Sequence, residues 1–186
     1  MITLTDAKLH LKLAATAEGA AAYTYEDVAI QRLINGAYLT AEQRTQRNFA
    51  PATKTLVLNG FPAGSGKIEL PWTPVTAIES LEYIDPEGVE QSLDAETLRL
   101  DTRPILPTLA PQWGAEWPRT TDETECITIT ASVGEVDTPP DVEIALLMLI
   151  AHHYVRRQGV AEGGALQEVP MGVEMLLEPY RIHAVG

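Results

Sequence analysis

Three sets of residues in this chain have types and spacing that could do chemistry. Gly60-Phe-Pro-Ala-Gly-Ser-Gly-Lys67 invites a phosphate-cradling loop. A phosphate loop needs its first glycine where Phe61 stands, a magnesium-binding hydroxyl where Ile68 stands, and a helix after the lysine rather than a strand. The segment therefore reads as a loop joining strands. His152 and His153 are metal-ligand types, but neighbours along a helix point to different faces and cannot both reach one ion. One packs inward and the other faces a contact near Arg156 and Arg157. The carboxylates of Asp85/Glu87, Asp122/Glu123/Glu125 and Glu135/Asp137 lie in expected turns, which rarely supply the concave apolar setting that splits the pKa values of an acid and a base. Cys126 lies inside the apolar run Cys126-Ile-Thr-Ile-Thr-Ala131, where a buried thiol is expected. No catalytic residue, metal site or cofactor is expected, and the chain reads as a non-enzyme.

Composition bounds the remaining classes. The 186 residues suffice for one sizeable domain, or a small domain with an insertion, and one cysteine cannot form an internal disulfide. The 26 acidic residues against 13 basic ones give a net charge of -13, which argues against gripping DNA, because phosphate binding needs clustered cations. A solvated acidic surface and an acidic wall that repels sliding DNA both fit that charge. The N-terminus shows no basic segment followed by an apolar run, so no signal peptide is expected, and the longest apolar helix is too short to span a membrane.

The elements that must position these residues fall into three stretches. A first helix is expected after Thr5, and Ala14 to Tyr25 reads as an alanine- and glycine-rich linker. A second helix is expected from about Glu26 to Arg47, with Val28, Leu33, Ile34, Ala37 and Tyr38 near one face and a weak middle at Gly36 and Thr40. From Pro51 to about Pro139 the pattern changes to short β-type runs: 54–58, 67–70, 77–84, 89–93, 97–100 and 125–133. Asp85-Pro-Glu-Gly88 is a turn signal that pairs Ile78, Leu81 and Tyr83 with Val89, Gln91 and Leu93 as a hairpin. Residues 103–121, with Pro104, Pro107, Pro111 and Pro118 around Trp113 and Trp117, read as a loop whose aromatics either fold back on their own domain, as such loops more often do, or form a docking site. Pro139-Pro140 opens a third helix reaching Arg157, with a core stripe of Val142, Ala145, Leu146, Leu149, Ile150 and His153. Ile144, Leu147, Met148 and Ala151 make its other faces apolar too, which points to a partner subunit. A last helix begins at Pro170 with an apolar face of Val173, Leu176 and Leu177. Pro179 ends it, leaving Tyr180, Arg181, Ile182 and His183 as an exposed tail. The expected class is α+β: a helical bundle from both chain ends, residues 1–50 and 134–186, with a small antiparallel β-rich insertion, residues 51–133, between the second and third helices.

The order and spacing of several short pieces resemble the head-tail connector (adaptor) proteins of long-tailed bacteriophages, prophages and gene transfer agents. They are Met1-Ile-Thr-Leu-Thr-Asp-Ala-Lys-Leu-His-Leu-Lys-Leu13, Asp27 to Asn35 with Thr45-Gln-Arg47, Leu70-Pro-Trp-Thr-Pro-Val75, Ile78 to Gly88, Pro139-Pro-Asp-Val142, His152-His-Tyr-Val-Arg-Arg-Gln-Gly159 and Val169 to Arg181. The resemblance spans nearly the whole chain. It implies a twelve-fold ring beneath a portal protein, extending the channel through which DNA passes without sequence-specific binding. It also implies a tail-completion or stopper protein below, and a location at the head-tail junction of the virion after assembly in the host cytoplasm. In such a ring Leu33, Ile34 and Tyr38 of the second helix and Leu147, Met148 and His152 of the third are expected at the subunit interface. Leu176, Leu177, Tyr180, Arg181, Ile182 and His183 are expected to dock on the portal. The competing readings are a neck or tail-completion protein one layer further down, and a small acidic ligand-binding module or enzyme built around the 60–67 loop.

Overall fold

The computed structural model describes residues 1–135, 137–156 and 170–182. The fold is α+β, and the chain divides into two compact units: residues 1–49 with 136–186, and residues 50–135.

The helical unit holds α1 (Leu4–His10), α2 (Ala17–Ala22), α3 (Asp27–Thr45), α4 (Pro140–Val155) and α5 (Met171–Leu177), the last followed by a 3-10 turn, Glu178–Tyr180. The cap of α1 is Thr3 rather than Thr5. Its hydroxyl accepts from the Asp6 N–H while the Asp6 carboxylate accepts from the Thr3 N–H, a reciprocal box that satisfies two orphan donors. Within the expected linker, Thr16 caps α2 by accepting from the Gly19 N–H, and the three alanines behind it are strong helix formers. α3 runs unbroken through Gly36, whose carbonyl also accepts from the Thr40 hydroxyl at 2.8 Å.

α3 packs on α4, α4 on α5 and α1 on α3. Ile30, Ile34, Ala37, Tyr38 and Ala41 of α3, with Val142, Ala145, Leu146, Leu149 and Ile150 of α4, are buried, and Val173 and Leu177 of α5 join them in the unit's core. Two polar clips lock its start. Lys8 is only 3% exposed, and its ammonium reaches the Ala20 carbonyl at 2.9 Å, the Tyr23 carbonyl at 2.5 Å and the Asp27 carboxylate at 2.6 Å. The Glu26 carboxylate accepts from Tyr23 Oη at 3.0 Å and from Tyr154 Oη at 2.7 Å, joining the entry of α3 to the end of α4.

The β unit contains two antiparallel sheets. β1 (Ala52–Leu58), β7 (Ile127–Val133), β3 (Val75–Ile84) and β4 (Glu90–Leu93) form one in that spatial order. β2 (Ile68–Glu69), β6 (Thr108–Pro111) and β5 (Leu98–Asp101) form the other. In β7 every second residue, Ile127, Ile129, Ala131 and Val133, is buried, the period-two pattern of a half-buried strand. The hairpin pairs Leu81 with Leu93 and Tyr83 with Gln91, as the turn signal dictates, while Ile78 pairs with Ala131 of β7 instead. β6 lies inside the stretch expected to be a loop. Its prolines mask a four-residue strand, all of it buried, at the middle of the smaller sheet. Gly134, just after β7, has φ +96°, and a Cβ there would sit 2.1 Å from the Ala50 carbonyl oxygen, so only glycine fits.

Replacing Lys8 by Met removes a buried cation and leaves two carbonyls and a carboxylate facing an apolar chain. Breaking a buried pair from one side costs several kcal/mol, and the partial exposure of Asp27 reduces that. Urea unfolding of the Lys8→Met protein is expected to show a loss of about 2 kcal/mol, and hydrogen exchange to show faster opening of α1 and α2.

Candidate functional site

In the helical unit, the apolar surfaces that could bind a partner are on the outer faces of the helices. On α4 the positions opposite the core stripe are Ile144, Met148, Ala151 and Val155, spaced i, i+4, i+7, i+11, and Ile144 and Val155 are 50% and 81% exposed. α3 presents a parallel case. Val28, Arg32, Asn35 and Leu39 share its solvent face, and Val28 and Leu39 are both exposed. On α5, Met171 and Met175 are exposed while Val173 and Leu177 point into the core. A helix with apolar residues on opposite faces, such as α4, has one side covered by its own unit and Ile144 and Val155 in water on the other, and that side is what a partner gains by covering.

The residues expected at a subunit interface divide on this geometry. Ile34 and Tyr38 are buried in the helical unit itself. The Tyr38 hydroxyl accepts from the Ile2 N–H at 2.9 Å and lies 3.4 Å from the Thr138 hydroxyl. Both belong to the core of the helical unit itself, with little surface to offer a partner. Leu33, Leu147, Met148 and His152 are half-buried. Met148 is turned toward α5, where a Cβ on Gly172 would meet its Cε at 3.1 Å. Val28, grouped with the inner face in the sequence, lies instead on the outer one. The outer stripe of α3 was readable from the i, i+4, i+7, i+11 recurrence of Val28 and Leu39, but two apolar residues among polar ones are a weak signal.

The C-terminal group divides likewise. Leu177 is core and Leu176 half-buried. Tyr180 to Ile182 is not a free tail: Tyr180 packs edge-on against Phe49 with ring centroids 6.0 Å apart, and the Ile182 N–H donates to the Thr45 carbonyl at 2.9 Å. Arg181 is exposed, 3.9 Å from the Glu178 carboxylate. Arg44 and Glu174 pair at 2.5 Å across α3 and α5, and together with Gln43, Leu177, Glu178 and Arg181 they edge a cavity of about 340 Å3. His183 and Arg157 lie outside the described residues.

Among the described residues no group of three His, Cys, Asp or Glu side chains is placed to hold a metal, and no helix is long and apolar enough to cross a membrane. His152 and His153 stand edge to face, 5.6 Å apart. In the β unit the Asp85 carboxylate is held below the ordinary carboxylate range by accepting from the Val89 N–H, the Gln91 side-chain amide and the Glu87 N–H, so it serves its own turn. Lys67 precedes the strand β2, so no helix N-terminus follows the 60–67 loop. Trp117 is buried, stacks on Phe61 at 4.6 Å and donates from Nε1 to the Gly66 carbonyl at 2.7 Å, while Trp113 is 85% exposed. Cys126 is buried beside the Asn59 carbonyl, as its setting in the sequence requires.

Three solved particle structures contain chains similar to this one over its full length. One is the neck of an empty GTA particle computed with C6 symmetry, with TM-score 0.76, 24% identity, and coverage of 100% of this chain and 92% of that one. The second is the virion of a native gene transfer agent (GTA) particle, at 0.75 with the same identity and coverages. The third is the neck of a native GTA particle computed with C12 symmetry, at 0.67, 24% identity, and coverage of 100% and 96%. At that identity the likeness establishes the fold. Scans of family models and of curated proteins return no match.

Burial first, then the neighbouring positive charges of Arg156 and His153, holds the His152 imidazole below the ordinary histidine pKa. A folded-state pKa below the unfolded one means that the unfolded chain takes up the proton first. Stability is therefore full above the unfolded value of about 6.5 and falls as pH drops through it. Thermal unfolding is expected to show this acid-side loss, and His152→Gln to shrink it.

Proposed function

We propose that this chain is a structural ring subunit of a phage-like neck, an adaptor that sits beneath the portal, extends the DNA channel and joins head to tail. The observation that carries the reading is the agreement of fold, end to end, with chains from particles whose necks were computed with C6 and C12 symmetry. The exposed apolar stripe on α4 supports it. Rotational symmetry requires each copy to meet the next through two different faces. The outer faces of α3 (Val28, Leu39) and α4 (Ile144, Val155) are two such faces, with Leu33, Leu147, Met148 and His152 at their edges. Ring closure would cover the apolar area that the isolated subunit leaves in water, at roughly 25 cal/mol per Å2.

The portal contact falls on α5 in this reading. Met171 and Met175 offer adaptable apolar side chains, and Arg181, with the half-buried Leu176, Tyr180 and Ile182 beside it, supplies a cation at the rim. Weak single contacts multiply on a portal template, where one bound copy raises the effective concentration of the next, so the free chain can be monomeric. The net charge of -13 suits a passage through which DNA slides. The chain takes no catalytic role in this account. A neck protein one layer down would carry the same fold and ring faces but would bind the adaptor instead of the portal.

Light scattering of the chain mixed with the portal protein encoded beside it tests this reading. The expected result is a complex of ring stoichiometry, weakened tenfold or more by Met171→Glu with Met175→Glu while far-UV circular dichroism is unchanged. A chain that stays monomeric with the portal contradicts the adaptor role.

A further inference from the structure

The β unit is strongly acidic, with fourteen Asp and Glu against five Lys and Arg in residues 50–135. Yet three of those five cations gather at one concavity. Lys67, Arg99 and Arg103 line a cavity of about 650 Å3 on the three-stranded sheet, with Ser65, Asp101 and Trp113. The Asp101 carboxylate takes two bonds from the Arg103 guanidinium, at 2.8 and 2.7 Å, and these hold it far below the usual carboxylate range. One of the three charges is thus met and fixed in place. The Arg99 guanidinium lies 3.9 Å over the Trp113 ring. Trp113 is nearly fully exposed, yet the turn bearing it is fastened by Gln112, whose side-chain amide donates to the Glu96 and Leu98 carbonyls at 3.3 Å each. A large aromatic side chain kept in water under an arginine is the residue pair that dominates binding sites.

The same unit carries the complementary group elsewhere. Asp122, Glu123 and Glu125 are exposed, and among the described residues their carboxylates have no ion pair or hydrogen bond. Their turn is pinned by the Thr121 N–H on the Ile84 carbonyl at 3.1 Å and the Glu125 N–H on Asn59 Oδ1 at 2.8 Å. It sits where β3 ends and β7 begins, in the other sheet. Within one copy the turn and the basic cavity make no ion pair, so each is left for another molecule.

We propose that the Lys67/Arg99/Arg103/Trp113 cavity receives the Asp122–Glu125 turn of a second copy of this chain, a head-to-tail contact between β units. The contact rests on the ring reading only for the presence of the neighbour. Charge complementarity selects the occupant: a rigid run of carboxylates fits a cavity with surplus positive charge, and arginine grips carboxylate bidentately. Duplex DNA is disfavoured, because residues 50–135 carry fourteen carboxylates against five cations and the unit's net negative charge repels phosphates.

Sedimentation velocity of the full chain at high concentration and low salt tests the contact by charge exchange. Wild type is expected to self-associate and to lose this with added salt. K67E/R99E alone and D122K/E123K alone are expected to associate at least tenfold more weakly, and an equimolar mixture of the two to associate again, since reversed cavity meets reversed turn. Wild type monomeric throughout, variants indistinguishable from wild type, a mixture that fails to recover, or duplex DNA binding that is lost in K67E/R99E would each overturn the proposal. Portal binding by the same proteins separates the two readings: if it persists while the charge exchange fails, the cavity contact falls and the ring stands.

Discussion

A helix that is apolar on every side must be covered on every side, and α4 is such a helix. Its inner stripe, Val142, Ala145, Leu146, Leu149 and Ile150, is fully enclosed by the helical unit. That enclosure orders the rest: α3 supplies the facing surface through Ile30, Ile34 and Tyr38, α5 closes another side through Val173 and Leu177, and Glu26 ties the end of α4 through Tyr154 to the entry of α3. What the unit leaves uncovered on the opposite side is Ile144 and Val155, with Met148 and Ala151 between them half-buried. Leaving such side chains in water forgoes about 1.5–3 kcal/mol for each one that a partner would fully bury. The helical unit is thus held through one side of α4, while Ile144 and Val155 on the other side stay in water.

Charge does separate work. The helical unit uses its interior charges locally, with Lys8 stitching α1, α2 and α3 together through two carbonyls and Asp27. The β unit uses most of its charges on the surface, where acidic turns dominate and the concavity of Lys67, Arg99 and Arg103 interrupts them. Apolar stripes give area with little direction, whereas opposed charges at fixed positions set register and discourage wrong partners.

Much of this was legible in the sequence wherever a single local rule decides the structure. The Asp85-Pro-Glu-Gly88 turn fixed the register of Leu81 with Leu93, and Pro139-Pro140 opened α4 where expected. The reading failed where tertiary packing outweighs local signals. β6 hides among prolines because its burial depends on pairing with β5 on one side and with β2, some forty residues earlier, on the other, which local pattern does not reveal. α2 passed for a linker because its alanines carry no hydrophobic period, only propensity and the Thr16 cap. For the candidate site, the apolar surplus of α4 was visible, but Ile34 and Tyr38 could not be separated from surface residues until the partners of α3 were known. Pro179 predicts an end to α5 correctly, yet it says nothing of Phe49 and Thr45, which hold Tyr180 and Ile182 down.

The most direct test of the central claim is an electron cryomicroscopy reconstruction of particles produced by the element that encodes this chain, with its own density identified. The account predicts copies arranged as a ring in the neck, with Ile144 and Val155 of each covered by the next subunit. Particles whose necks lack this chain, or copies whose α4 outer stripe faces solvent, would contradict it.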